Sequence, residues 1–519
     1  MRRVLALTGL VSATVLAFCA PASGASASKG VRLVGNLSEA KHATAINFLE
    51  YKHRDVMLVT GRFGLKSYSL ADRANPVLLD EITAEDLRLQ GDPAVDFSGD
   101  TPFSTFWQNE DMDVDKRRKL ALLSRDPRAY AGSTSREPGE PDPNGATNIA
   151  GVYVIDAKDP EDLQLLSFQQ LPTGHTTTCV NGCKALWTGG PASTTTQRDT
   201  LGWTFGRPII VTDLSDPANP QAFPMNPVDL FRRDGVTAYS HDVQVDAAGI
   251  AWVSGDGGTR GYWTAGTHFD ALQGRVREAT ALEPIPYAGG GLPQSVTGDA
   301  TGGFEHNAWR PVGGSAPQSD PRYAAGELLL ATEEDFGPAD EACKNRGQFT
   351  IASLAGSFGA EAWRSTASNP FRLTTVGTWN PYLKEGSRPV GGPYHPLANF
   401  CSAHYFDVDG STVAYAWYGE GTRFLDISDP ENPTQFAYWR PDDGIVWASY
   451  MHKGYVYTAD RTRGVDVLRL TPTASAARRA GREVVAPSPS ARQRRFAARV
   501  ARSYKPDPGT AWLCVLQVQ

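Results

Sequence analysis

A ten-residue turn segment occurs four times along the chain and constrains its fold more than any other feature. The clearest copies are VTDLSDPANP at 211–220 and FLDISDPENP at 424–433, and looser copies are YVIDAKDPED at 153–162 and SYSLADRANP at 67–76. In the clear copies an Asp can accept backbone N–H bonds, and the next Pro fixes φ and excludes a helix. Each copy lies between two short β-type runs, so it predicts a strand, a sharp turn and a return strand. Recurrence of such a turn indicates a repeat architecture.

The repeats predict an all-β fold, a β-propeller with seven blades. Asp216 and Asp429 hold the same place in the two clear copies and are 213 residues apart, or 71 residues for each of three repeats. Residues 31–470 divide into seven repeats of about 63 residues, longer than the ~40–50 residues usual in propellers, so we expect long surface insertions. The last repeat contains only three strand-like runs. We therefore expect the N-terminal strand at Val31–Leu37 to complete the last blade and close the ring, with six or eight blades as the alternatives.

The chain divides into three parts by composition and charge. Residues 1–27 have a positive start, an apolar run and the small-residue site ASA, which predicts a signal peptide and a secreted or cell-wall-associated protein. Residues 28–470 form the predicted propeller and carry 39 basic and 55 acidic residues, a net charge of −16. Residues 471–519 carry nine basic and two acidic residues and are rich in Ala, Pro, Ser and Arg. We expect this C-terminal tail to be largely disordered.

The charge and hydropathy patterns limit the partners of the chain. An acidic propeller repels phosphate, which argues against nucleic-acid binding. No stretch after residue 27 has ~18 uninterrupted apolar residues, so no transmembrane helix is predicted. The basic tail could contact an acidic cell-wall polymer or lipid headgroups.

The cysteine pattern is typical of a protein from an oxidising compartment. Cys179 and Cys183 bracket a Val-Asn-Gly turn and are expected to form a disulfide. Cys343 and Cys401 could form a second pair, which leaves Cys514 over. Zinc binding by these thiols is the alternative, but the CxxxC spacing lacks a second matched pair.

The turn segments and the strands before them resemble those of the LVIVD-repeat proteins, which are secreted or cell-surface β-propellers. The resemblance rests on GVYVIDAKDP, PIIVTDLSDPANP and GTRFLDISDPENP and covers most of 46–470. It implies the propeller fold and a location outside the cell. It implies no catalytic residues, because the family is defined by its repeats and its functions are mostly uncharacterised.

Four histidines and one glutamate share a register in the repeats. They stand nine or ten residues before the second strand of a repeat, or at a similar place before a longer loop, and are Glu110, His175, His241, His306 and His404. At the start of an innermost strand they would face the axial channel, where these groups could bind Zn, Cu or Fe. Glu110 would be a fifth ligand or a proton acceptor. The alternative is structural, since an imidazole at a repeated position can hydrogen-bond the backbone of the neighbouring blade.

Carboxylates at other strand ends form a second, weaker candidate site. Such residues could line one face of the ring and bind calcium, although in an acidic secreted protein they are more often solvated. They are Asp256, Glu333, Glu334, Asp335, Glu420 and Asp460.

The sequence contains no phosphate loop, GxSxG nucleophile elbow or HExxH metalloprotease motif. The leading hypothesis is therefore a secreted binding protein that contacts an extracellular protein or glycan through its loop-rich face. The alternative is a metal-dependent enzyme that uses the histidine-lined mouth of the channel. It would be distantly similar to the selenium-binding-protein and methanethiol-oxidase propellers, although none of that group's local motifs occurs here. A purely structural surface protein is the third hypothesis.

Overall fold

The structure is a computed structural model that describes most of the predicted propeller and part of the tail. The described residues are 26–95, 110–127, 129–130, 149–190, 209–228, 232–233, 236–237, 240–255, 258–290, 305–334, 347–358, 373–381, 403–487 and 490–496.

The first three blades are four-stranded antiparallel meanders. Before them lie β1 (Ser26–Lys29), β2 (Val31–Leu37) and a 3-10 turn (Ser38–Ala40). Blade 1 consists of β3 (Ala43–Glu50), β4 (Asp55–Gly61), β5 (Gly64–Ser69) and β6 (Val77–Thr83). Blade 2 consists of β7 (Met112–Asp115), β8 (Leu120–Arg125), β9 (Ala150–Asp156) and β10 (Gln164–Leu171). Blade 3 consists of β11 (Thr176–Val180), β12 (Ala185–Gly189), β13 (Ile209–Asp213) and β14 (Gln221–Val228).

Blades 4 and 5 carry insertions between or beside their strands. A short hairpin precedes blade 4, β15 (Arg232–Arg233) and β16 (Val236–Thr237). Blade 4 consists of β17 (Ser240–Val245), β18 (Ile250–Gly255) and β19 (Gly258–Trp263), an inserted hairpin of β20 (Thr267–Asp270) and β21 (Arg275–Glu278), and β22 (Ile285–Gly290). Blade 5 consists of β23 (Glu305–Trp309), a 3-10 turn (Gly313–Ser315), helix α1 (Pro321–Ala325), β24 (Leu328–Glu333), β25 (Phe349–Ser353) and β26 (Thr374–Trp379).

The last two blades each include a strand from the N-terminus. Blade 6 consists of β27 (Phe406–Asp409), β28 (Thr412–Ala416), β29 (Thr422–Asp426) and β30 (Thr434–Pro441), with β1 paired to β30 as a fifth strand. Blade 7 consists of β31 (Val446–His452), β32 (Tyr455–Asp460) and β33 (Gly464–Leu470), with β2 paired to β33 from Val31↔Leu470 to Leu37↔Val465. The prediction of a seven-bladed propeller closed by its N-terminal strand is confirmed.

The turn segments form the predicted bend between the third and fourth strands of their blades. In blade 3, Asp216 accepts a hydrogen bond from the backbone N–H of Ala218 at 3.0 Å and from the Asn219 amide at 2.9 Å. Asp429 makes the matching pair of bonds in blade 6, at 3.1 and 2.9 Å. The same local hydrogen bonds therefore end the third strand in separate blades. Because these bonds form within a few residues, the sequence of the turn segment is enough to predict the turn.

The described part of the tail packs on blade 6. After helix α2 (Pro472–Arg479), Val484 donates its backbone N–H to the carbonyl of Gln435 at 2.8 Å. Ala474, Ala477 and Val484 are buried against the outer strand of the blade. Alanine is small and a strong helix former, so α2 can form and approach the blade closely. The composition of the tail did not indicate this packing. The remaining tail residues, 497–519, lie outside the described part of the chain.

The helices of the described residues are short, and none of them is long and apolar enough to cross a membrane. Residues 1–25, which make up most of the predicted signal peptide, lie outside the described residues.

Candidate metal centre

The five predicted site residues stand at equivalent places, at the beginning of the innermost strands of blades 2 to 6. His175 immediately precedes β11, and Glu110 and His404 lie two residues before the first residues of β7 and β27. His241 and His306 are the second residues of β17 and β23. The innermost strands of neighbouring blades contact one another around the axis. The shared register predicted from the sequence therefore places all five residues in one ring.

Two of the histidines occupy β-bulges. The pairing register shifts between Ser240 and Asp242 in blade 4 and between Glu305 and Asn307 in blade 5. His241 and His306 are the additional residues at these shifts. A bulge redirects the side chain of its extra residue, and such irregularities are frequent next to functional sites.

Hydroxyl groups from neighbouring blades hold the backbone of the ring. Ser124 on β8 donates to the carbonyl of His175 at 2.8 Å, and Thr332 on β24 donates to the carbonyl of His404 at 2.8 Å. Thr176 on β11 donates to the carbonyl of His241. Each bond links one blade to the next, so the histidine positions are fixed by the ring itself.

The Nε2 atoms of all four histidines converge on the Glu110 carboxylate. The distance to a Glu110 oxygen is 2.7 Å for His404, 3.1 Å for His306 and 3.6 Å for His241. His175 Nε2 is in direct contact with Oε2, the oxygen that His241 also faces, while His306 and His404 face Oε1. All five side chains are completely buried.

Three of the four Nδ1 atoms have partners outside the cluster, and His306 Nδ1 is buried without a hydrogen-bond partner among the described residues. His175 Nδ1 lies 2.8 Å from an Asp126 carboxylate oxygen. His241 Nδ1 donates to the carbonyl of His306 at 3.0 Å, and His404 Nδ1 donates to the carbonyl of Trp447 at 2.6 Å. A carbonyl can only accept, so His241 and His404 carry a proton on Nδ1. When these rings are neutral, the lone pair is on Nε2 and faces Glu110.

Glu334 and Tyr418 complete the cluster on the side of blades 5 and 6. Glu334 carboxylate oxygens lie 3.9 Å from the Nε2 atoms of both His306 and His404. The Tyr418 hydroxyl donates to Glu334, and the Tyr418 ring is 5.2 Å from that of His404. In two groups the ligand atoms lie within 4.8 Å of one another, Glu110–His241–His306 and His306–Glu334–His404.

Burial and charge shift the pKa values of the four imidazoles in opposite directions. Burial would lower the pKa of His175, but the Glu110 carboxylate and the Asp126 hydrogen bond raise it to about 9. Burial lowers the pKa of His241 and of His404, and burial together with the neighbouring histidines holds the pKa of His306 well below its usual range. Burial opposes ionisation of Glu110, but His175 and His404 outweigh it and hold its pKa well below the usual range.

These residues fit a transition-metal ion. His404 donates its Nδ1 proton to the Trp447 carbonyl, so its Nε2 faces a Glu110 oxygen 2.7 Å away, and two such acceptor atoms need a proton or a metal ion bound to both. Neighbouring ligands of an ion bound at ~2.1 Å are about 3.0–3.4 Å apart, similar to the 2.7–3.6 Å separations of the Glu110 oxygens from three of the nitrogens. Imidazole nitrogen with one or two carboxylates is a donor set for Zn, Cu or Fe.

The four carboxylates proposed for calcium that the structure describes do not form one site. Glu420 pairs with Arg423 at 2.7 Å and with Arg440 at 2.8 Å. Asp460 accepts backbone N–H bonds from the β32–β33 turn and from Ile445, which precedes β31. Glu333 accepts the backbone N–H of Gly347 at 3.0 Å. Glu334 belongs to the histidine cluster instead. Asp256 and Asp335 lie outside the described residues.

The cysteines agree with the expected pairing where the structure describes them. Cys179 and Cys183 form a disulfide across the turn between β11 and β12. Cys343, Cys401 and Cys514 lie outside the described residues.

The site also contains residues that the sequence did not identify as part of it. Asp126 lies just after β8, Glu334 just after β24 and Tyr418 two residues after β28, so all three come from the corner that follows the second strand of a blade. The predicted strand-end carboxylates marked this corner in blade 5. The connection between the corner and the histidines was missed, because Asp126 and His175 are 49 residues apart and Glu334 and His404 are 70 residues apart.

Comparison with known proteins found only distant structural similarity. No protein-family model and no curated protein matches the chain. The Myceliophteria thermophila Cps50 (Swd1) β-propeller domain matches 85% of this chain and 100% of its own at 8% identity and a TM-score of 0.45. The periplasmic gluconolactonase PpgL of Pseudomonas aeruginosa matches 78% of this chain and 86% of its own, at 11% identity and a TM-score of 0.39. A Bacteroides fragilis protein provisionally assigned as a 6-phosphogluconolactonase matches 82% of this chain and 89% of its own, at 9% identity and a TM-score of 0.42.

Proposed function

We propose that this β-propeller is a metal-dependent enzyme whose ion is held on the axis by His175, His241, His306 and His404, with Glu110 as the anionic ligand. The observation that carries the proposal is the convergence of four buried Nε2 atoms on one ionised carboxylate. The geometry favours this alternative over the binding protein that led the sequence-based hypotheses.

The surroundings of the cluster support metal binding rather than a purely structural hydrogen-bond network. Two Nδ1 atoms do bond the backbone of the next blade, as the structural alternative requires. The same bonds fix the tautomer and turn the Nε2 lone pairs inward, which is how proteins orient metal-binding imidazoles. Asp126 acts on His175 in the same way.

The ring also supports catalysis rather than a closed structural site. Blades 7 and 1 place Trp447 and Thr44 at the register shifts of their innermost strands, where blades 4 and 5 place histidines. Neither side chain is a usual ligand for Zn, Cu or Fe, so the ligands lie on one side of the ring. Catalytic sites keep a coordination position open in this way. An ion bound here would act as a Lewis acid, and Cu or Fe would add redox chemistry.

Metal content tests the proposal. The protein is purified without chelator, reconstituted separately with Zn, Cu and Fe, and measured by elemental analysis beside His241→Ala/His404→Ala. His53→Ala is the matched control, because His53 is an exposed histidine outside the cluster. We expect about one ion per chain in the wild type and the control, and loss of the ion from a double variant that circular dichroism shows to be folded. A folded wild type that binds none of the three metals would overturn the proposal.

We further propose that the protein is exported. The Cys179–Cys183 disulfide supports this, because disulfides persist in oxidising compartments. The predicted cut after residue 27 falls inside β1 and would leave Ser28 and Lys29 of the fifth strand of blade 6. N-terminal sequencing of the protein from its native source should give a start near residue 28, and an intact N-terminus in the cell interior would contradict export. Membership of the LVIVD-repeat family and a contact with an extracellular protein or glycan stay predictions.

A further inference from the structure

The side of the ring without ligands has a different chemical character from the side with the histidines. In blades 2, 5 and 6 the corner after the second strand supplies Asp126, Glu334 and Tyr418 to the cluster. The same corner supplies Arg461 in blade 7 and Arg62 in blade 1. This corner therefore carries a carboxylate in blades 2 and 5, beside the predicted ligands, and a guanidinium group in blades 7 and 1, which supply no predicted ligand.

Arg461 lies close to the predicted ligands. Its guanidinium carbon is 4.6 Å from the centre of the Trp447 ring. The backbone carbonyl of Trp447 accepts the Nδ1 hydrogen bond of His404, and the centres of the two side-chain rings are 4.4 Å apart. A single aromatic side chain thus separates the guanidinium from a predicted ligand. None of the described residues forms an ion pair with Arg461.

Arg62 belongs to the same cationic group. His42 joins the two corners, since it donates its backbone N–H to the Arg461 carbonyl at 3.1 Å and accepts the Arg62 backbone N–H at 3.3 Å. Arg62 is only 4% exposed. Burial, followed by the charges of Arg62, Arg461 and Lys41, lowers the pKa of His42 to about 2. The field at this corner is therefore positive.

The indole of Trp447 gives a second, independent indication of a ligand. Trp447 is 1% exposed, and its Nε1–H is buried with no hydrogen-bond acceptor among the described residues. A buried donor without an acceptor is rare in folded proteins, and a ligand oxygen is one group that would satisfy it. An anion beside Arg461 and Trp447 would satisfy the donor and the charge together.

We propose that Arg461, Trp447 and Arg62 form a subsite for a carboxylate, and that the substrate of the metal centre is a small carboxylic acid in its anionic form. A guanidinium binds a carboxylate through two parallel hydrogen bonds, and the indole N–H adds a third donor. The negative end of the substrate lies on blades 7 and 1, and its reacting end faces the histidines of blades 2 to 6. The metal half of this inference rests on the proposed function, but the carboxylate subsite does not.

The experiment uses metal-free protein, in which acetate cannot bind through an ion. The dissociation constant of acetate is obtained from the concentration dependence of the melting temperature, with acetamide as the uncharged probe of the same shape. We expect acetate to stabilise the wild type and acetamide to have no effect. Arg461→Gln should weaken acetate binding at least tenfold, and Trp447→Phe, which keeps the ring but removes the N–H, should weaken it several-fold.

Arg469→Gln is the matched control. Arg469 is an exposed arginine of blade 7 that lies 5.3 Å over the Tyr455 ring, so the variant removes the same charge and the same kind of ring contact away from the axis. It should bind acetate like the wild type. Equal acetate binding by the wild type and both subsite variants, or equal binding of acetamide, would overturn the subsite.

Metal content measured on the same samples separates the two proposals. Acetate binding that depends on Arg461 in a protein without any metal affinity would refute the metal centre and leave the carboxylate subsite intact. Metal binding with acetate affinity indifferent to Arg461 and Trp447 would refute the subsite alone. If Arg461→Gln does not fold, Trp447→Phe decides the question.

Discussion

Asp126 lies behind His175 and should control how the metal affinity of the centre depends on pH. The carboxylate is 2.8 Å from His175 Nδ1, and both side chains are completely buried. Burial would lower the pKa of His175, but Glu110 and Asp126 raise it to about 9. A metal ion must displace the proton of His175. Metal affinity should therefore rise about tenfold for each pH unit below 9, or about 100-fold from pH 7 to pH 9, and then level off.

Asp126→Asn should change this profile in two ways. The amide oxygen can still accept the Nδ1–H bond, but the charge is lost, so the pKa of His175 falls and the plateau begins at a lower pH. The metal affinity on the plateau should be 10–100-fold lower, a loss of about 1.4–2.7 kcal/mol of binding free energy, because the hydrogen-bond partner of a metal-binding imidazole sets its strength as a ligand. The two profiles should thus lie close together near pH 7, separate as the pH rises to 9, and keep their full separation above it.

The assay is a competitive chelator titration from pH 6 to pH 10 on folded, metal-free protein. Asp216→Asn is the control, since it makes the same change in an exposed turn far from the axis. Its profile should coincide with that of the wild type. Profiles of Asp126→Asn and the wild type that share both plateau and midpoint would refute the role of Asp126 and the protonation of His175.

Three further predictions concern stability; for a propeller of about 440 residues, 1 kcal/mol corresponds to about 1 °C in melting temperature. Replacing Cys179 and Cys183 by Ser opens a short loop and should lower the melting temperature by about 2 °C. Asp429→Ala removes the hydrogen bonds of one turn segment and should lower it by about 1 °C. Truncation after Leu470 exposes the blade 6 surface under α2 and should lower it by about 3 °C. Calorimetry checks all three, and an unchanged melting temperature would contradict the contact concerned.

The fold could be predicted from the sequence because its signals are local. The Asp and Pro residues of a turn segment act within four residues, as Asp216 and Asn219 do, and their recurrence fixes the repeat. Ring closure by Val31–Leu37 followed from the missing fourth strand of the last repeat. The fifth strand of blade 6 did not, because β1 overlaps residues that read as the end of a signal peptide.

The position of the site could also be predicted from the sequence, but the residues that contact the histidines could not. Counting back from the second strands placed four histidines and Glu110 in one register, and a propeller brings equal registers to one axis. Asp126 and Trp447 reach the histidines across blade boundaries, 49 and 43 residues away in sequence. No pattern within one repeat indicates such a pairing, so it needed the structure.

The packing of the tail on blade 6 could not be predicted from the composition of the tail. Its Ala and Arg content is that of a disordered segment, but Ala474 and Ala477 are small enough to bring α2 against blade 6. Composition describes what a segment can bury by itself. It does not describe the surface that a finished propeller offers to it.

The most direct test of the metal centre is a crystal structure of the reconstituted protein with anomalous diffraction data at the absorption edge of the bound metal. We expect one strong anomalous peak on the axis, about 2.0–2.2 Å from the Nε2 atoms of His175, His241, His306 and His404. We also expect an ordered Glu110 carboxylate at the same ion. Crystals of metal-soaked protein without a peak there, with the Nε2 atoms hydrogen-bonded only to Glu110, would contradict the metal centre.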